Sequence, residues 1–238
     1  MFHPDGPSLG ELARQALSST RRGYDLLAPK FDRTPFRTPD WLIAAAAAHL
    51  GEPGSVPRAV DLCCGTGAAL PFLRPLCREL VAGVDFSLGM LAEARRRHAD
   101  SPGAPLVLVH GDVLRSALAP GGFELATIFG ALGHVRPCDQ APFLAAVRDA
   151  LVPGGRLAFV TSAVPPPWSP ALPLAAGFDL AMWLRNRLVR PPFVMYYLAW
   201  PLGRTRRLLR EAGFAVGEKR LTLGRHTTRV RLVIATRG

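Results

Sequence analysis

Three aspartates of this sequence each close a short apolar run that has the character of a β-strand. Asp61 ends the first run and is followed by a turn that contains Gly65 and Gly67, while Asp85 and Asp112 end the next two runs. Glycines let the backbone turn tightly and come close to a bound molecule. Because open α/β sheets bind ligands at the carboxyl ends of their strands, the three carboxylates are expected at one edge of a sheet. Such carboxylates suit a nucleoside and an ammonium group better than a polyphosphate.

The glycine turn does not have the spacing of the common phosphate-binding loops. Its sequence is Gly-Thr-Gly, not G-x-G-x-x-G, which disfavours a pyrophosphate clamp for NAD or FAD, and no G-x-x-x-x-G-K-[ST] occurs. Asp85 lies about twenty residues beyond the turn, the spacing at which Rossmann-like folds hold ribose hydroxyls. The turn and the aspartate together predict a nucleoside-containing ligand.

Alternating strand-like and helix-like segments position these aspartates. Thr38 is expected to cap a helix over residues 41–50, Ser87 is expected to cap another that runs through His98, and Gly213 to end the last helix. The alternation predicts a parallel sheet with right-handed crossovers. The strands are expected at residues 59–63, 80–85, 106–110, 124–129, 156–161, 214–223 and 229–236. Residues 224–226 are expected to join the last two strands. The remaining helices are expected at 9–17, 68–79, 139–151, 174–184 and 204–212.

Five motifs, in order, resemble those of class I S-adenosylmethionine-dependent methyltransferases, and the resemblance runs from about residue 22 to the C-terminus. The commonest pattern has glycine where this chain has Cys63, but a similar double cysteine occurs in some ubiquinone- and menaquinone-type methyltransferases of the small-molecule branch. The motifs are Val60-Asp61-Leu62-Cys63-Cys64-Gly65-Thr66-Gly67, Gly83-Val84-Asp85-Phe86-Ser87 with Met90-Leu91, His110-Gly111-Asp112-Val113, Leu151-Val152-Pro153-Gly154-Gly155-Arg156-Leu157 and Leu208-Leu209-Arg210-Glu211-Ala212-Gly213-Phe214.

The resemblance implies an α/β fold with a Rossmann-like seven-stranded sheet in the order 3-2-1-4-5-7-6, the last strand antiparallel and helices on both faces. It implies one methyltransferase domain over residues 1–238, in which N-terminal helices within 1–50 cover the cofactor and 162–203 form a helical substrate lid. The expected methyl donor is S-adenosylmethionine. The implied enzyme is a bacterial methyltransferase that moves the methyl group to a small, apolar or aromatic molecule by in-line displacement.

The resemblance also assigns roles to individual residues. Asp85 is expected to hold the ribose hydroxyls, Asp112 the adenine amino group, and Asp61 to face the methionine end. Tyr24 belongs to a Tyr-Asp…Phe-Asp pattern that in small-molecule members closes over the cofactor, the alternative being a helix that only packs on the sheet edge. The expected cofactor-binding residues are Tyr24, Asp61, Cys63, Gly65, Thr66, Gly67, Asp85, Phe86, Met90, Asp112, Val113, Phe129 and Gly130.

The sequence says less about the residues that bind the methyl acceptor. The sulfonium methyl group is already activated, so its transfer requires no invariant catalytic side chain. His134 follows the fourth strand and is the candidate base, although a loop histidine is more often a surface hydrogen-bonding residue. Residues 162–203 interrupt the alternation with aromatic and apolar residues that suit a ring-bearing ligand, but they also suit a roof over the core, a dimer contact or a membrane-skimming surface. The candidate substrate residues are Trp168, Trp183, Arg187, Tyr196 and Tyr197.

The charge and composition of the chain bear on whether it binds nucleic acid. The 238 residues have a formal net charge of +11, which invites a nucleic-acid interpretation. Lys30 and Lys219 are the only lysines, and this arginine-dominated charge favours a solvated surface without a nucleic-acid partner. The [Asp/Asn/Ser]-Pro-Pro-aromatic tetrad of DNA and RNA amino-methyltransferases is also absent. An RNA or protein methyltransferase, and a protein that binds S-adenosylmethionine without catalysis, are the alternatives.

The chain shows no signal of export or of membrane insertion. Its four cysteines lack the C-x-x-C spacing and histidine partners of a metal site, so reduced thiols and no metal are expected. The N-terminus lacks the apolar core of a signal peptide, and prolines between 165 and 173 interrupt the longest apolar stretch. These features predict a cytoplasmic monomer or homodimer without stable membrane insertion.

Overall fold

A seven-stranded sheet forms the centre of the molecule, and the computed structural model describes residues 4–115, 118–223 and 226–238. The strands are β1 (Val56–Leu62), β2 (Cys77–Asp85), β3 (Leu106–His110), β4 (Phe123–Ile128), β5 (Leu151–Ser162), β6 (Phe214–Leu223) and β7 (His226–Arg237). Their order, β3-β2-β1-β4-β5-β7-β6, confirms the prediction. β1 to β5 pair in parallel and β7 is antiparallel to both of its neighbours. Residues 224 and 225 of the predicted final turn lie outside the described residues.

Helices cover both faces of the sheet, as predicted. The side chains of each strand alternate between two apolar cores, as the pleat requires. On one face Phe143 and Leu209 pack against the strands, and on the other Ile43, Leu70 and Ala94 do so. The helices that carry these residues and the remaining ones are α1 (Leu9–Leu17), α2 (Thr20–Leu27), α3 (Asp40–Ala47), α4 (Leu70–Leu73), α5 (Leu88–His98), α6 (Gln140–Ala150), α7 (Ala171–Leu188) and α8 (Leu202–Glu211).

Two helix predictions need correction. The helix expected over 68–79 is only the single turn α4, because Pro71 stands in its first turn, Pro75 cannot continue it, and Cys77 already belongs to β2. Thr38 does not cap α3, since the N-cap is Pro39 and it makes no side-chain hydrogen bond. The predicted cap of α5 is confirmed: the Ser87 hydroxyl accepts the Met90 N–H at 3.1 Å.

Two segments outside the sheet meet the loops that follow the strands. The N-terminal segment (residues 4–50) contains α1 to α3 and a 3₁₀ turn at Ala28–Arg33, and contacts the turns after β1 and β2. The 162–203 segment contains α7 and contacts the loop after β4 through the Tyr196 N–H, which donates to the Gly133 carbonyl at 2.9 Å. None of the described helices combines the length and the apolar character that a membrane span requires.

Candidate active site

Asp85 is a buried carboxylate at the end of β2, and it lines a cavity there. One of its oxygens accepts the Gly65 N–H at 2.9 Å and the other accepts the Ser87 N–H at 2.8 Å. Burial raises the pKa of Asp85, while these backbone donors act in the opposite direction. The ion pairs found among the described residues include none to Asp85. This buried, unneutralised acid has capacity for further hydrogen-bond donors from a ligand.

The turn after β1 opens the same cavity. Cys63 and Gly65 both adopt left-handed backbone conformations, with φ of 53° and 55°, and a Cβ built on Gly65 would meet only open space. A side chain at position 65 would therefore project into the volume beside Asp85. Gly67 serves a different purpose, because a Cβ there would clash with His98 and Leu70. Its role is close packing of the turn on α5 and not contact with the cavity.

Asp61, which was predicted to face the methionine end, is buried beneath the turn. Its carboxylate is absent from the lining of the Asp85 cavity and accepts the Thr127 hydroxyl at 2.7 Å from the neighbouring strand β4. Burial raises its pKa to about 7. In this structure Asp61 forms a polar bridge between β1 and β4, and its contact with the methionine end stays a prediction.

Four neighbouring cavities surround these residues. The Asp85 cavity, of about 570 Å³, has walls from the β1 turn, Phe86, Met90, Phe129, Gly130 and Thr38. The Asp112 cavity, of about 950 Å³, shares Cys63, Asp85 and Phe86 with it and adds Asp112 and Val113. Asp112 is more open than Asp85: it is exposed, and it accepts the Leu114 N–H at 3.0 Å.

Two acids of the N-terminal segment hold it on the turns around Asp85. Asp25 accepts the Ser87 hydroxyl at 2.6 Å and the Gly89 N–H at 3.0 Å, at the start of α5. Asp32 accepts the Thr66 hydroxyl at 2.5 Å and forms ion pairs with two arginines, Arg37 and Arg97. Sequence analysis missed both acids as site residues, although they are the aspartates of the Tyr-Asp…Phe-Asp pattern. They place Tyr24 over the Asp85 cavity.

Tyr24 and His134 form a hydrogen-bonded pair in the wall of that cavity. The Tyr24 hydroxyl lies 2.8 Å from His134 Nε2, and His134 Nδ1 lies 2.5 Å from the Val194 carbonyl oxygen. The carbonyl can only accept, so Nδ1 carries the proton and Nε2 accepts from Tyr24. The Tyr24 ring also stacks on Phe193, with 6.0 Å between centroids. Burial lowers the pKa of His134 and raises that of Tyr24 far above its usual range, so both are neutral at pH 7.

The structure divides the five candidate substrate residues into two groups. Tyr196 and Tyr197 line the Tyr196 cavity, of about 860 Å³, together with His134, Leu132, Met195 and Trp200. Trp168, Trp183 and Arg187 lie on the protein surface and line none of the four cavities, so their role as acceptor contacts stays a prediction. Trp168 is 84% exposed, and the Arg187 guanidinium lies 5.0 Å from the Trp183 ring centroid.

An apolar cavity behind Tyr24 has no counterpart in the sequence prediction. This Phe178 cavity, of about 560 Å³, lies between α1 and α7 and is lined by Phe178, Met182, Phe193 and Met195 from the 162–203 segment and by Leu12, Gln15, Ala16, Tyr24 and Phe36 from the N-terminal segment. Tyr24 and Phe36 also belong to the Asp85 cavity. The four cavities therefore surround Tyr24 and His134.

Solved structures that are similar to this chain include methyltransferases, the class of protein that the fold and the site indicate. An O-methyltransferase family protein from Burkholderia thailandensis aligns with a TM-score of 0.69 at 20% identity, over 97% of this chain and 67% of that one. A DhpI structure in complex with SAH aligns with a TM-score of 0.66 at 18% identity, over 97% of this chain and 99% of that one. A model of the methyltransferase domain family matches residues 59–155. These matches show that the chain shares its fold with methyltransferases and contains a methyltransferase domain over residues 59–155.

Sequence relatives define the family more closely. A demethylmenaquinone methyltransferase of Beutenbergia cavernae is 35% identical over 195 residues, which are 77% of this chain and 76% of that protein. A 2-phytyl-1,4-naphtoquinone methyltransferase of Thermosynechococcus vestitus is 38% identical over 107 residues, 43% of this chain and 44% of that one. The chain belongs to the methyltransferase family that contains these quinone methyltransferases. The chain is therefore a class I S-adenosylmethionine-dependent methyltransferase, an enzyme whose methyl donor is S-adenosylmethionine.

Proposed function

We propose that the acceptor is the hydroxyl-bearing, reduced ring of a quinone-type molecule, and that Tyr24 and His134 remove its proton. The observation that carries the proposal is the Tyr24–His134 pair, in which the Val194 carbonyl fixes the tautomer of His134. Each of the four cavities is lined by at least one of these two residues. Aromatic and aliphatic walls on the acceptor side fit an apolar ring. The names of the sequence relatives agree with this substrate class.

The cofactor roles that we propose follow from the Asp85 and Asp112 cavities. A buried carboxylate without a cation suits two ribose hydroxyls, and the open space at Gly65 leaves room for a ligand against the backbone. Asp112 and Val113, with Phe86, line the cavity that extends from Asp85 and would hold the adenine. The methionine end would lie among Cys63, Tyr24, Met90, Phe129 and Gly130. When bound, S-adenosylmethionine supplies an electrophilic methyl group on a positively charged sulfur.

Tyr24 and His134 account for the proton that the acceptor must lose. The acceptor hydroxyl donates to the Tyr24 oxygen, while Tyr24 passes its own proton to Nε2 of the neutral His134. Loss of this proton raises the electron density on the ring oxygen and on the ring carbon beside it, which is what an electrophilic methyl group would require. The net change balances: one methyl group would replace one hydrogen of the acceptor, and one proton would leave to solvent from the His134 imidazolium, whose Nδ1–H stays bonded to the Val194 carbonyl.

Matched variants test this proposal with a short-chain dihydroxynaphthalene as the acceptor. Tyr24→Phe keeps the ring that lines the cavity but loses the hydroxyl, so turnover should fall by roughly 10²-fold or more while S-adenosylmethionine affinity changes little. His134→Gln should show the same pattern. Asp85→Ala is the contrasting variant and should weaken cofactor affinity by about 2–4 kcal/mol, measured by calorimetry. Unchanged turnover in Tyr24→Phe would contradict the proton route, and methylation only of acceptors that lack a ring hydroxyl would contradict the substrate class.

The location of the enzyme is a further part of the proposal. We propose a cytoplasmic protein, because its four cysteines are all free thiols, with Cys64 and Cys77 buried and Cys138 exposed. Reduced thiols are typical of that compartment. Monomer and homodimer are both compatible with this location.

A further inference from the structure

The outer face of α7 is an apolar surface with no covering element among the described residues. α7 has eighteen residues and none of them is buried. Its inner face contributes Phe178 and Met182 to the Phe178 cavity. Its opposite side, which we call the outer face of α7, carries three large apolar side chains that are between 46% and 56% exposed: Leu180, Trp183 and Leu184. Leu188, at the C-terminal end of the helix, is 83% exposed. A contiguous exposed surface of this kind marks an interaction site.

The exposed charged side chains that border the outer face of α7 are arginines, which are all positive. Asp179, the single acid of α7, turns inward and accepts the Tyr197 and Leu198 N–H groups at 2.7 and 3.0 Å. At the C-terminal end of the helix, Arg187 packs on Trp183 and Arg190 is exposed. Arginines 21 and 22 are also exposed there, beside Thr20, whose N–H donates to the Pro192 carbonyl. The partner of this face therefore combines an apolar interior with negative charge.

We infer that the outer face of α7 docks on the surface of an anionic lipid bilayer. A helix that shows leucines and a tryptophan with arginines at its edge, and no exposed acid, matches the composition of helices that lie in the membrane interface. Arginine and tryptophan side chains can place their polar groups at the headgroups while their apolar parts contact the acyl region. A second copy of the chain fits less well, because a symmetric contact would bring the same arginines together.

Docking on a bilayer would place the Phe178 cavity next to the lipid. One wall of this cavity is the inner face of α7, and Tyr24 connects it to the Asp85 cavity. An acceptor with an apolar substituent could then pass between α1 and α7 without crossing water. This consequence rests on the proposed function, whereas the docking itself does not.

Vesicle flotation without any substrate tests the docking independently of the proposed function. The wild-type protein should float with vesicles of equimolar phosphatidylcholine and phosphatidylglycerol at low salt, and much less with phosphatidylcholine alone. The double variant Leu180→Gln/Leu184→Gln should lower the bound fraction at least tenfold. The control is Leu88→Gln/Val107→Gln, which changes two similarly exposed apolar residues on α5 and β3 and should float like the wild type.

A charge-reversal pair separates docking from general attraction by a basic protein. Arg187→Glu/Arg190→Glu and Arg95→Glu/Arg210→Glu each lower the net charge by four, but only the first pair borders the outer face of α7. The first pair should abolish flotation and the second should lower it only slightly. Equal losses in both pairs, or no flotation of the wild type, would overturn the inference. A dimer in solution that Leu180→Gln/Leu184→Gln dissociates would also overturn it, because the face would then be an interface between copies.

Discussion

The N-terminal segment and the 162–203 segment meet the same edge of the sheet, but different chemistry holds each of them there. The N-terminal segment is fastened by carboxylates, Asp25 and Asp32, to the turns around Asp85. Backbone groups hold the 162–203 segment: the Tyr196 N–H donates to the Gly133 carbonyl. The carbonyls of Trp200 and Ala199 accept from the Thr161 hydroxyl and the Gln140 amide. The first segment buries its charges against the cofactor turns, whereas the second leaves apolar surface outside. With the proposed function, the contrast corresponds to one side of the site for a polar cofactor and one side for an apolar acceptor.

Removing one aspartate from each segment is the strongest test of this contrast. Asp32→Ala removes the acceptor of the Thr66 hydroxyl and one ion pair each of Arg37 and Arg97, which keep Asp40 and Glu93 as partners. S-adenosylmethionine affinity should therefore fall by roughly ten- to a hundredfold, since each charged hydrogen bond contributes about 1.5–3 kcal/mol. Asp179→Ala frees two N–H groups beside the Tyr196 cavity and should raise the acceptor KM while cofactor affinity stays the same. Calorimetry and steady-state kinetics measure the two effects. Loss of cofactor affinity in both variants would remove the distinction between the segments.

A smaller effect is expected within the 162–203 segment itself. Phe178→Ala/Met182→Ala enlarges the apolar cavity, so the KM of an acceptor with an alkyl substituent should rise about tenfold through lost apolar contact. The exposed Trp168 gives the control, because Trp168→Ala should leave that KM unchanged in detergent-free assays with a soluble acceptor. If Trp168→Ala raised the KM as much as the cavity variant, the surface position of this tryptophan would not describe the working enzyme.

The smallest effect is expected from Asp61, whose buried carboxylate lies beneath the turn after β1. The pKa of Asp61 is about 7 in the folded protein because of burial, against about 4 in an unfolded chain. A raised pKa stabilises the fold fully below pH 4 and the contribution is lost as the pH rises through 7. The melting temperature of the wild type should therefore fall relative to Asp61→Asn between pH 5 and 8, by roughly 2–4 °C for each 1 kcal/mol in a chain of this size. Parallel curves for the two proteins would show that Asp61 does not titrate in this range.

The sequence was sufficient for the sheet because local signals and the ordered motifs agreed. The residues of β3 and the bounds of α1 matched the prediction, and the hydroxyl of Ser87 capped α5 as expected. The helix over 68–79 failed where two prolines outweighed the helix-forming residues between them. The strand order came from the family resemblance, since nothing in an apolar strand specifies which neighbour it pairs with.

Side-chain direction explains most of what sequence analysis missed at the site. α7 is apolar on both sides, so its pattern has no period that would distinguish the cavity residues Phe178 and Met182 from the surface residues Trp183 and Leu184. Asp32 gave a signal through its motif, but only the fold brings it to Thr66, which is 34 positions away. His134 was found as a lone loop histidine, and its pairing with Tyr24 spans 110 positions that no local pattern connects.

The imidazole of His134 bonds to both segments, which also contact each other directly where the Tyr24 ring stacks on Phe193. Its Nε2 accepts from the hydroxyl of Tyr24 in the N-terminal segment, and its Nδ1 donates to the Val194 carbonyl of the 162–203 segment. Movement of either segment away from His134 would therefore remove one of the two hydrogen bonds of the same ring. With the proposed function, we expect this shared ring to couple opening on the donor side of the site to opening on the acceptor side.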